Sequence, residues 1–99
     1  MLADVSDMTY DELLALARRF EGRELETVTG RKFTVGVSRA ENCPFFTPAL
    51  SGYSQTDGRK AAERFVERYN QIGSLRPSDY SGVTRNASYL VALLAERDR

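Results

Sequence analysis

The sequence predicts an α+β fold: a three-stranded antiparallel sheet with helices packed on one face, in the order α-β-β-β-α-α. Three observations carry this. Apolar residues recur at helical spacing in three separate stretches, the region between the first two alternates with a period of two, and glycine or proline marks the changes of period.

The first helix opens at Thr9, which caps it, with Glu12 completing a capping box and Met8 placed to staple onto Leu13. Leu13, Leu16, Ala17 and Phe20 form its apolar face over residues 10–21, and Gly22 offers a left-handed stop. Asp11, Ala15, Arg18, Arg19 and Glu21 fall on the solvated side.

A hairpin follows. Residues 24–29 make one strand around Leu25, Thr27 and Val28, Gly30 and Arg31 turn the chain, and Phe33, Val35 and Val37 alternate with Thr34, Gly36 and Ser38 in the next. The alternation sends Phe33, Val35 and Val37 to the core and leaves Lys32, Thr34, Gly36 and Ser38 on a small, hydroxylated face. After a turn at Glu41 and Asn42, residues 44–47 form the third strand; Pro48 suits a sheet edge because it cannot donate to a ladder. Residues 49–55 have no period and make a loop longer than the common connection of about 4 to 6 residues, a place where binding residues often lie. Tyr53 is an aromatic among small polar neighbours there, and Gln55 stands beside it.

Thr56 or Asp57 caps the second helix, which runs to Ile72 with Ala62, Phe65, Val66, Tyr69 and Ile72 as its apolar face and Gly73 as its end. Phe65, Val66 and Tyr69 are expected to close the core over Phe33, Val35 and Val37. Pro77 begins a single turn, Gly82 closes it, and a last helix starts near residues 84–86 with Ala87, Leu90, Val91 and Leu94 on one face.

The chain of 99 residues is one domain, 1–99, with ends at 1–8 and 96–99 expected to fray. The single cysteine, Cys43, precludes an internal disulfide and suits a reducing cytoplasm. No apolar run reaches the 18 or so residues of a membrane span, and the first residues are acidic where a secretion signal would be basic, so no membrane association is expected.

The chain has no histidine, which excludes Ser-His-Asp and Cys-His catalysis, and with one cysteine it leaves no zinc site. Glu24 and Glu26 share a strand face, which reads as a charged edge rather than a metal site. No P-loop is present. The expectation is a binding module that is not an enzyme and uses no metal or cofactor.

Net charge is zero, with an excess of four negative charges over residues 1–30 and four positive over 31–99, and 12 of the 14 basic residues are arginine. Lys60, Arg64 and Arg68 recur every fourth residue as a cationic row, while Glu63 and Glu67 stand within pairing distance on the same helix. Each of the last two helix starts combines free backbone N–H groups with a hydroxyl and a cation, Thr56 with Arg59 and Lys60, and Thr84 with Arg85 beside Asn86, as an anion site would.

The first functional expectation is therefore nucleic-acid binding, specifically DNA, through residues 58–85. Arg59, Lys60, Arg64, Arg68, Arg76 and Arg85 would meet phosphates, and Tyr53 or Asn86 a base. The alternative is a protein-interaction module, regulatory or inhibitory, that uses the Tyr53 and Gln55 loop and the connection from Arg76 to Tyr80. Self-association as a homodimer through the opposed acidic and basic ends belongs to this second class.

Overall fold

A computed structural model describes residues 8–56 and 58–97. The chain runs α1 (Tyr10–Arg19), β1 (Glu24–Glu26), β2 (Lys32–Ser38), β3 (Cys43–Pro48), α2 (Gly58–Ile72), a 3₁₀ turn (Pro77–Tyr80) and α3 (Ala87–Arg97), with a single antiparallel sheet in the order β1-β2-β3. The α+β architecture and the meander follow the sequence expectation.

Local chemistry explains the boundaries. Thr9 and Glu12 form the expected reciprocal cap, in which Thr9 N–H donates to Glu12 Oε1 at 2.8 Å and Glu12 N–H to Thr9 Oγ1 at 3.1 Å. The first strand ends at Glu26 instead of residue 29: Thr27 N–H still donates to the Arg31 carbonyl at 2.9 Å, but the return bond goes to a hydroxyl, Thr27 Oγ1 accepting from Arg31 N–H at 3.1 Å and lying 3.1 Å from Thr29 Oγ1. Gly30, at φ 90°, then closes the turn with a 2.9 Å bond to the Thr27 carbonyl.

Phe33, Val35 and Val37 face the core, as their alternation requires, and Pro44 and Phe46 lie opposite Val37 and Val35 in register. On the bare outer face Phe45 pairs with Gly36, and a Cβ at Gly36 would fall 2.3 Å from the Phe45 ring. The glycine is thus a seat for the aromatic ring on an otherwise polar surface.

The outer edge of β3 is closed chemically. The pairing with β2 turns the backbone groups of Pro44, Phe46 and Pro48 outward. The two prolines have no N–H. Thr56 Oγ1 donates to the Pro44 carbonyl at 3.3 Å, Gly52 N–H to the Pro48 carbonyl at 2.8 Å, and Phe46 exchanges both its bonds with Gln55 at 2.9 and 2.7 Å. No outward group of the strand remains for another chain to pair with.

The last helix is more enclosed than its one apolar face indicates. Besides Ala87, Leu90, Val91 and Leu94, α3 also buries Ala92 and Leu93 on its far side, so it is enclosed rather than amphipathic. It packs against α1, β1 and the 3₁₀ turn, and its Tyr89 ring lies 4.9 Å from Phe33 and 5.5 Å from Phe46. By contrast α2 packs on β3 and α1, with Phe65 against Tyr80 at 4.5 Å, and Ile72 is 42% exposed at its end. Phe65, Val66 and Tyr69 do join Phe33, Val35 and Val37 in one core, which α1 and the Tyr89 ring of α3 also cover.

The expectation of frayed ends meets described residues at three positions, and each is placed. Met8 is buried, its N–H and C=O both bonded to the Asn70 side chain at 2.7 Å. Glu96 and Arg97 continue α3, with Arg97 donating to the Tyr69 hydroxyl at 3.0 Å. The rest of that expectation, together with Asp57 as a cap, lies outside the described residues.

Two stability measurements follow. Leu93→Ala should cost about 3 kcal/mol in urea unfolding, whereas Ile72→Ala should cost less than about 1, reversing the ranking that the amphipathic pattern of α2 implies. Gly36→Ala should displace the Phe45 ring and cost about 1 kcal/mol, and that cost should vanish in a Phe45→Ala background, which a double-mutant cycle reads directly.

Candidate functional site

The loop between β3 and α2 is tied at both ends. Ala49 N–H donates to the Lys32 carbonyl at 2.9 Å, Gly52 turns with φ 72°, Ser54 and Thr47 hydroxyls meet at 3.0 Å, and Gln55 docks on Phe46. Its middle is pushed outward as a result: Leu50 is 96% exposed and Tyr53 78%. Single exposed apolar residues are common on protein surfaces, but these two stand in one tied loop that borders a groove.

Between this loop and the β1–β2 turn lies a groove of about 640 Å³. Arg31 and Lys32 form one wall with Gly30, and Pro48, Ala49 and Leu50 the other. Ser51, Gln55 and Tyr89 of α3 complete the lining. Tyr89 is half-buried and stacked on Phe46 at an interplanar angle of 25°, so its ring is set by the core.

Of the residues singled out in the sequence, Gln55 lines the groove and Tyr53 stands in its loop. Tyr80 does not join them: it is fully buried and donates its hydroxyl to the Ser74 carbonyl at 2.6 Å, so it has no surface to offer a partner. Asn86 is also buried, 4% exposed, with its backbone carbonyl accepting from Tyr89 and Leu90 at the start of α3, and it has no path to a base edge.

The cations remain at the surface but in mixed company. Arg59 pairs with Glu63 at 3.0 Å and lies over the Tyr10 ring at 4.8 Å. Lys60 and Arg64 share one shallow surface with Glu63 and Glu67. Arg68, Arg76 and Arg85 are exposed. The two helix starts do converge, with Thr56, Gly58, Thr84 and Asn86 lining one recess, but its volume is about 10 Å³, too small for a phosphate. Their hydroxyls are spent on local turns that lead into the helices: Thr56 Oγ1 accepts from Gly58 N–H and Thr84 Oγ1 from Asn86 N–H, both at 3.0 Å.

Sequence reasoning missed Arg31, Leu50 and Tyr89. The antiparallel register held a signal for two of them, because a strand pairing that sets Phe33 against Pro48 brings the turn before β2 alongside the loop after β3. Nothing local marked Tyr89, whose place depends on the burial of α3.

Among the described residues no group of three or more His, Cys, Asp or Glu side chains could hold a metal ion, and no helix is long and apolar enough to cross a membrane. Comparison with protein-family models, curated proteins and solved structures returned no match.

Two tyrosines give the fold a pH limit. Burial, with the nearby Cys43 charge adding to it, pushes the Tyr10 hydroxyl from 10.0 up to about 12. Burial, with Tyr69 and Asp79 adding, does the same for Tyr80, from 10.0 up to about 12. Between these values the unfolded chain has lost protons that the folded one retains, so stability is fully present below the unfolded value and falls as pH rises through the folded one. A urea-midpoint series should be flat just below pH 10 and drop between about 10 and 12, less steeply in Tyr10→Phe.

Proposed function

We propose that the domain is a binding module that engages a protein partner through the groove between the β1–β2 turn and the 49–55 loop. The observation that carries this reading is the 96% exposure of Leu50 on the wall of a groove whose aromatic member, Tyr89, is fixed by Phe33 and Phe46. Interfaces concentrate their energy in aromatic and aliphatic anchors on pre-ordered surfaces, because a partner then loses less freedom on docking. Tyr53, 78% exposed in the same loop, extends the contact surface.

Nucleic-acid binding through residues 58–85 has less support. Two of its cations share their surface with Glu63 and Glu67, Arg59 is paired with Glu63, and Asn86 is buried. A phosphate backbone laid along such a surface would meet carboxylates as well as cations.

A photo-reactive side chain decides between the two. Placed at position 50 it should cross-link a protein from host extract, and placed at position 64 it should not, while Leu50→Asp with Tyr53→Ser should abolish the cross-link at unchanged melting temperature. Cross-linking at position 64 to nucleic acid, with position 50 silent, would reverse the assignment.

A further inference from the structure

The groove has a sign. Arg31 and Lys32 are both exposed on one wall, and no carboxylate belongs to the lining. Glu26 lies across the β1–β2 ladder from Lys32, yet neither Arg31 nor Lys32 is held in an ion pair with it. Glu26 is close, its Oε2 3.4 Å from the Cβ position of Gly30 in the lining, so the positive sign of the groove rests on two cations against one neighbouring carboxylate. The opposite wall is aliphatic, made by Pro48, Ala49 and Leu50, and the Tyr89 ring offers an apolar face between them.

On the reading that the groove binds a protein, we propose that its occupant is an acidic peptide segment carrying one apolar side chain. The segment's carboxylates meet Arg31 and Lys32, where a guanidinium can bind a carboxylate through two parallel N–H groups. Its apolar side chain packs between Leu50 and Tyr89. Gln55, which has both donor and acceptor on its amide, lies beside that position and matches the hydrogen-bonding groups of an extended peptide backbone. For a nucleic acid the cations and the Tyr89 ring would serve phosphate and base, but the Pro48, Ala49 and Leu50 wall adds no stacking or polar contact, whereas it matches a peptide's apolar side chain. A basic segment is repelled by the two cations.

Titration of isotopically labelled protein with three synthetic peptides tests the assignment. One has a single leucine among aspartates and glutamates, the second replaces its acids with lysine, and the third keeps the acids and replaces the leucine with serine. The acidic leucine peptide should shift the amide resonances of Ala49, Leu50, Ser51 and Tyr89 and bind at least about tenfold more tightly than either control, with affinity falling as salt rises. Arg31→Glu with Lys32→Glu should invert the preference to the lysine peptide. Both cations are exposed, so the variant should fold, and an unchanged melting temperature confirms it.

Equal binding of acidic and lysine peptides in the groove, or indifference to charge reversal, overturns the chemistry assigned here while leaving the groove as a protein site. Shifts confined to α2, or no shift at millimolar peptide, overturn both. Groove shifts that grow with protein concentration in the absence of peptide would assign the groove to a second copy and likewise overturn the proposal.

Discussion

Burial of α3 on nearly all sides is the constraint on which the rest of the structure depends. Ala87, Leu90, Val91, Ala92, Leu93 and Leu94 are all buried, so no single surface can cover the helix. The sheet, α1 and the 3₁₀ turn must each take a share. This requirement places α1 near β2, drives Tyr80 inward against Phe65, and fixes Tyr89 over Phe33 and Phe46 at one end of the sheet. The ring that lines the groove is therefore an extension of the core, and it gains its rigidity from the packing that stabilises the fold.

The edge of β3 supplies the second half of the site. Pro44 and Pro48 remove two donors, and Thr56, Gly52 and Gln55 occupy the acceptors and the one donor that remain. Such closure prevents edge-to-edge association. It also pins both ends of the loop, which leaves Leu50 and Tyr53 nowhere to fold back to. The exposure of these side chains is a consequence of how the edge is capped, and the same hydrogen bonds keep them in a defined position. The opposite edge, β1, is protected differently, by brevity and by Glu24 and Glu26.

Much of this was legible in the sequence because it is local. The capping box at Thr9 and Glu12, the alternation of Phe33, Val35 and Val37 and the edge character of Pro48 depend on residues close in the chain, and all appear in the structure. The full enclosure of α3 was not legible. The sequence shows an apolar face on α3, Ala87, Leu90, Val91 and Leu94, as plainly as one on α2, but periodicity reports one buried face and not two, so the burial of Ala92 and Leu93 left no local signal. The candidate site divides the same way. Loop composition marks Tyr53 and Gln55, which lie beside and in the groove. Tyr80 and Asn86 looked like polar handles but serve the interior, through the Ser74 carbonyl and the start of α3. Arg31 and Leu50 come together only when the strand register is known.

Amide hydrogen exchange at Phe46 and Gln55 tests most directly whether the loop is a fixed part of the sheet. Their reciprocal bonds, 2.9 and 2.7 Å long, lie outside the β2–β3 ladder. If the loop is held as described, both amides should exchange as slowly as those of Thr34 and Thr47 within the ladder, through the same cooperative opening. Exchange of the Gln55 amide at the rate of an unstructured loop, with the ladder still protected, would contradict the account.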